Sequence, residues 1–329
     1  MAQFDMPLPE LETYAPAIDE PDDFDEFWST TLSEARAYDR PPTVERVDVG
    51  LTQVVVDDVT FPGFGGHPIK AWLTRPAHTD GELPVVVEYL GYGGGRGLPH
   101  EHLEWAAAGR AHLLMDTRGQ GSGWGTGGET PDPVGSGPAT PGFLTRGVMD
   151  PHDHYYRRLI TDGVRAVDAV RTIPGLDPER VSVSGVSQGG GVTIAVAGLV
   201  PDLVAALPDV PFLNHYRRAV SITDNMPYGE ITRFLSVHRA PKVEARVWRT
   251  LSYLDGVSFA RRARAAGLFS VALMDATCPP STVYAAFNGW GDAQRSTVHK
   301  EIDVYSYNAH EGGGEHRFPR KLGWLGAIG

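Results

Sequence analysis

The stretch Gly185-Val186-Ser187-Gln188-Gly189 matches the pattern G-x-S-x-G. Two glycines at that spacing let a chain turn sharply from strand to helix and leave a serine side chain standing at the turn. Taken alone the pattern is weak, because a Gly-rich turn with a capping serine reads the same way. Its flanks strengthen it: residues 181–184 read as a short buried strand and Gln188–Leu199 as a helix. The helix amino terminus would set positive partial charge beneath a developing oxyanion. Serine is a poor nucleophile at neutral pH; it needs a base, and the base needs an orienting carboxylate. On such a turn the chain order is serine, acid, histidine. His299, His310 and His316 follow, and only His310 falls just beyond a predicted strand. His316 sits in a Gly-rich polar stretch. Among the acids, Asp275 ends the predicted strand 269–274 and opens a loop through Cys278-Pro279-Pro280. Asp255 reads as a helix N-cap, Asp303 lies inside a strand and Asp292 in a turn. Ser187, Asp275 and His310 are therefore the candidate acyl-transfer triad.

An oxyanion site needs two backbone donors aimed at the tetrahedral oxygen. One is the N–H of Gln188, directly after the serine. The other belongs to the Gly-rich loop 91–97, where Tyr92 in Leu90-Gly91-Tyr92-Gly93-Gly94 is the best placed. That loop lacks the Walker lysine pattern and the dinucleotide fingerprint, so it does not read as a phosphate cradle. His152-Asp153-His154 lacks further spaced ligands and precedes a helix, which points to capping rather than to a metal. Arg118-Gly119-Gln120-Gly121 follows a strand end at Asp116 and, alone, reads as a turn with a structural arginine.

The elements around these residues alternate. An amphipathic helix is predicted over 22–38, with Phe24, Phe27, Trp28, Leu32 and Ala35 on one side. Strands follow at 44–49, 53–61 and 69–74, the last two separated by a turn over 63–68. The run 84–90 (PVVVEYL) looks like a strand buried on both faces. A helix at 101–108, a strand at 112–115, a long Gly/Pro-rich loop over 116–151 and a helix at 155–172 come next. Beyond the elbow lie strands at 203–207, 268–274 and 301–305 and a helix near 281–287. Strands alternating with helices predict an α/β fold, a mostly parallel sheet covered on both faces, with the site beyond the carboxyl ends of the strands. Over 211–255 the alternation stops; this helical stretch, broken at Met226-Pro227-Tyr228-Gly229, reads as an insertion that caps the site or builds a subunit contact. Residues 1–329 are expected to form one domain around it.

Composition narrows the partners. Among 329 residues, 29 Lys and Arg face 41 Asp and Glu, a formal charge of −12. So acidic a chain repels phosphate backbones, which argues against nucleic-acid binding. Cys278 is the sole cysteine, so an intrachain disulfide and a thiolate metal cluster are excluded. The acidic, Pro-rich stretch 1–20 lacks a basic region followed by an apolar run, and no segment approaches the ~20 apolar residues that cross a bilayer. A cytoplasmic enzyme without membrane contact is the expectation.

With these motifs the sequence resembles the acetyl xylan esterase / cephalosporin C deacetylase family, carbohydrate esterase family 7. The resemblance rests on Arg118-Gly119-Gln120, Gly185-Val186-Ser187-Gln188-Gly189 and His310-Glu311 in that order. It also rests on Leu251-Ser252-Tyr253-Leu254-Asp255, on Leu273-Met274-Asp275 before Cys278-Pro279-Pro280-Ser281-Thr282, and on Phe24-Asp25-Glu26-Phe27-Trp28. Leu90 departs from it, standing where some members have His. The resemblance implies an α/β-hydrolase fold and the triad Ser187, Asp275, His310. It further implies oxyanion donors at Tyr92 and Gln188, supporting roles for Arg118 and Gln120, and a ring-like homohexamer with 211–255 at subunit contacts. The implied reaction removes acetyl groups from acetylated xylo-oligosaccharides and cephalosporin C, with no metal or organic cofactor. The alternatives are a hydrolase-fold binding protein without catalysis, and a peptidase on the same fold.

Overall fold

Nine strands form one sheet in the computed structural model, which describes residues 2–135, 137–294 and 297–328. They are β1 (Thr43–Val47), β2 (Val54–Pro62), β3 (Pro68–Pro76), β4 (Leu83–Tyr89), β5 (Ala111–Met115), β6 (Leu176–Val186), β7 (Ala205–Asp209), β8 (Ala266–Ala272) and β9 (Lys300–Tyr305). Their order is β1-β2-β3-β5-β4-β6-β7-β8-β9. From β5 to β9 every neighbour is parallel. The β1–β2, β2–β3 and β3–β5 pairs are antiparallel. The mostly parallel α/β-hydrolase sheet is thus present, with an antiparallel flank whose outer strand β1 is largely exposed.

The helices are α1 (Leu8–Leu11), α2 (Phe24–Arg36), α3 (Glu104–Ala107), α4 (Tyr155–Val170), α5 (Gln188–Leu199), α6 (Tyr216–Ile222), α7 (Gly229–Val237), α8 (Pro241–Ser252), α9 (Gly256–Arg262), α10 (Pro280–Asn288) and α11 (Arg317–Ile328). Side chains alternate across a strand, and β4 shows how the two faces are filled. Val85, Val87 and Tyr89 join a core built with α2, α4, α5, α9 and α10. Val86 joins a second cluster with Trp105 of α3, Ala205 and Leu207 of β7, Leu268 of β8, and Trp324 and Leu325 of α11. Burial on both faces is why PVVVEYL carries no polar alternation. The helix α11, absent from the sequence reading, holds Pro319, Gly323 and Gly326, which mask its propensity. Tertiary contacts hold it instead: Arg317 Nε donates to Asp209 Oδ1 at 2.8 Å and Lys321 Nζ to Ser184 Oγ at 3.1 Å.

Two connections bear on the site. Between β5 and α4 the chain has no helix or strand among its described residues. Buried polar groups order it: the Asp116 carboxylate accepts the N–H groups of Arg96, Thr117, Glu129 and Thr130 at 2.7–3.0 Å. Arg118 is fully buried and bonds Asp162 through Nε and Nη2, at 2.5 and 2.7 Å, and Asp132 at 3.2 Å. Between β7 and β8 run α6 to α9, with the break at 226–229 separating α6 from α7.

Candidate active site

The turn from β6 to α5 puts Ser187 at φ 58°, ψ −116°, a region that non-glycine residues avoid without outside support. The support is visible. Ser187 N–H donates to the Asp209 carbonyl at 2.9 Å, and its own carbonyl accepts Gly191 N–H at 3.0 Å and Phe212 N–H at 2.9 Å. The flanking glycines are steric necessities. A Cβ on Gly189 would lie 2.0 Å from the Tyr89 carbonyl oxygen, and one on Gly185 would lie 2.4 Å from the Gly189 carbonyl carbon.

Three side chains meet there. His310 Nδ1 lies 2.8 Å from Asp275 Oδ2, and His310 Nε2 lies 2.9 Å from Ser187 Oγ. An ionised carboxylate only accepts, so the imidazole proton belongs on Nδ1, which leaves Nε2 to accept from the serine hydroxyl. Asp275 is fully buried, and its other oxygen accepts Thr277 N–H at 2.8 Å and Cys278 N–H at 2.9 Å. These bonds fix the carboxylate beside the imidazole. Asp275 lies three residues beyond the end of β8, and His310 five beyond β9. Glu311 folds back on the His310 loop, accepting from Asn308 Nδ2 at 2.6 Å and Ala309 N–H at 3.1 Å.

Of the rivals, Asp255 caps α9 by accepting Val257 N–H, and Asp303 sits in β9 against Arg317. His154 caps α4 by accepting Tyr156 N–H. Among the described residues, the cluster of metal-ligating types is Asp275, Cys278 and His310, in which Asp275 already engages His310 and the Cys278 amide. Burial pushes the Cys278 thiol well above its ordinary pKa.

The N–H groups of Tyr92 and Gln188 have no acceptor among the described residues. Gln120 ties their two loops together: Oε1 accepts Gly93 N–H at 2.6 Å, and Nε2 donates to Tyr155 Oη and Gln188 Oε1, both at 2.9 Å. Gln188 Nε2 in turn reaches the Leu90 carbonyl at 3.2 Å. Tyr155 O–H donates to the Arg118 carbonyl at 2.6 Å, so the Arg118-Gly119-Gln120 turn is fastened beneath both loops. The triad opens on a cavity of about 410 Å³, walled by Tyr92, Trp124, Val186, Met226, Pro227 and Thr277. That size suits a small ligand. Trp124, 53% exposed, donates from Nε1 to the Tyr92 carbonyl at 2.7 Å. Met226 and Pro227 come from the break in 211–255, the stretch expected to cap the site, whereas Trp124 reaches the wall from a loop without a local signature.

A serine on a strand–turn–helix elbow, on a mostly parallel sheet covered by helices on both faces, defines the α/β-hydrolase class. Residues 1–327 match the family model "Acetyl xylan esterase (AXE1)". Among solved structures, an acetyl xylan esterase from Paenibacillus sp. R4 is 38% identical with a TM-score of 0.90, over 98% of this chain and 100% of that one. Acetyl xylan esterase 1 from Thermoanaerobacterium sp. JW/SL YS485 is 31% identical with a TM-score of 0.89, over 99% and 100%. The acetyl esterase Axe7A of Xylanibacter ruminicola is 28% identical over 95% of this chain and 69% of its own length. The chain belongs to the acetyl xylan esterase family, and it is a carboxylic-ester hydrolase.

Proposed function

We propose that this esterase removes acetyl groups through an acetyl-enzyme on Ser187. His310 Nε2 takes the Ser187 proton as Oγ attacks the acetyl carbonyl, and Asp275 steadies the imidazolium that forms. The N–H groups of Tyr92 and Gln188 receive the oxyanion. His310 then gives the proton to the departing alcohol and takes one from the water that releases acetate. Arg118 and Gln120 support the two donor loops without touching the reacting atoms. The unbroken chain from Ser187 to His310 to Asp275, at 2.9 and 2.8 Å and open to a cavity, carries this reading. Ser187→Ala should remove essentially all turnover of p-nitrophenyl acetate by folded protein; retained turnover overturns the assignment.

Acetylated xylo-oligosaccharides are the proposed substrates, with small acetates such as cephalosporin C also accepted. The Paenibacillus and Thermoanaerobacterium relatives are named for acetyl xylan, and the cavity is of small-ligand size. A panel of acetyl, butyryl and longer esters beside these sugars should rank acetyl first. We read the chain as one domain acting in the cytoplasm as a homohexamer, with residues 211–255 serving as cap and subunit contact. That segment supplies Met226 and Pro227 to the cavity wall. Light scattering that gives a monomer at micromolar concentration overturns the hexamer.

A further inference from the structure

Glu230 stands in the first turn of α7, 2% exposed, yet it belongs to none of the motifs. Its carboxylate faces inward. Tyr92 O–H donates to Oε1, and Leu144 N–H donates to Oε2 at 2.8 Å. The Tyr92 hydroxyl also accepts Phe143 N–H at 2.6 Å. Gly142, at φ 135°, completes the fit: a Cβ there would lie 2.2 Å from Glu230 Oε1. Burial, against the pull of its hydrogen bonds and of Arg146, raises the Glu230 carboxyl above the ordinary range. An acid kept in that position works against stability, so it calls for a purpose.

The purpose lies in what it holds. The Tyr92 carbonyl is bonded by Trp124, the following amide by Gln120, and the phenol by Glu230. Among the described residues, its N–H is the one polar group of Tyr92 left without a partner. We propose that Glu230 is a positioning residue: through the Tyr92 hydroxyl it fixes the oxyanion donor of the 91–97 loop, and so couples that donor to the cavity wall formed just upstream by Met226 and Pro227. This rests on the reading of Tyr92 N–H as an oxyanion donor. A donor of that kind works only when held near its productive position, to about 0.5 Å, and losing one outright lowers kcat by about 10²–10³.

The test compares Tyr92→Phe, Glu230→Gln and the double variant with wild type. Tyr92→Phe removes one hydroxyl and keeps the backbone N–H. Glu230→Gln keeps one acceptor but sets an amide N–H against either Tyr92 O–H or Leu144 N–H. Each single variant should lower kcat on p-nitrophenyl acetate by roughly 10–100-fold, short of losing the donor, with KM within about twofold. Affinity for phenylboronic acid, which forms a tetrahedral adduct on serine, should fall in parallel. The double variant should be no worse than the poorer single one. Folded variants with wild-type kcat and boronate affinity overturn the proposal, as does a kcat loss without a boronate loss. Should Glu230→Gln not fold, Tyr92→Phe alone decides. Mass spectrometry of the wild type after treatment with a serine-directed phosphonate separates the two readings. An adduct on Ser187 leaves the function standing whatever the variants do, and its absence overturns the function itself.

Discussion

At Ser187 the backbone carries φ 58° beside a side chain that must also meet an imidazole at 2.9 Å. Conformations of that kind persist because neighbours over-determine them, here Asp209, Gly191 and Phe212 through main-chain bonds. Asp275 is fixed more completely still, with its two oxygens shared among His310, Thr277 and Cys278. Asp275→Asn would turn an amide N–H toward either the imidazole or the two backbone donors, favouring the wrong tautomer. A loss of kcat on the order of 10⁴-fold is expected, the scale seen when a triad acid is so replaced, with circular dichroism unchanged. A loss below tenfold would mean that the chain of bonds is not used. The three residues were legible because each follows a strand and their chain order is constrained. Glu230 was not: it meets Tyr92 across 138 residues, and nothing local marks it.

Elements explain which parts of the scaffold could be read. The elbow is steric, so its glycines stand in the sequence where the backbone needs them. The helix α11 packs Phe318, Leu322 and Leu325 in one cluster with Ala205, Leu207 and Leu268, but Pro319, Gly323 and Gly326 obscure that pattern in the sequence. At the start of α4, His154 is fully buried, accepting Tyr156 N–H on Nδ1 at 3.1 Å and donating from Nε2 to the Leu144 carbonyl at 2.9 Å. Burial holds its pKa down to about 3, against 6.5 ordinarily. Between those values the unfolded chain binds a proton that the folded chain refuses. Stability therefore falls as pH falls through that window, by about 1.4 kcal/mol per pH unit at most. His154→Gln should show a flatter decline in urea midpoint over the same range. An unchanged slope would mean that the imidazole takes a proton in the folded protein.

For the whole molecule, the mostly parallel sheet was readable from alternation, while the pairing of β3 with β5 depended on contacts distant in the chain. Cys278 offers a probe of cooperativity, since it is fully buried beside the triad and its thiol is pushed well up. Iodoacetamide should leave it unmodified in the native protein. Labelling across a urea gradient should coincide with the loss of circular dichroism if residues 1–329 unfold as one unit. Labelling at lower urea would reveal a loop that opens by itself. The order of the elements along the chain has a consequence for synthesis. The elbow of β6 and α5 leaves the ribosome before its histidine, which follows β9, and Arg317 of α11 then holds Asp209 behind the serine. A nascent or prematurely terminated chain ending before residue 310 carries the serine without the histidine proposed as its base. On the proposed mechanism, hydrolysis therefore waits until residue 310 has emerged and folded against the elbow.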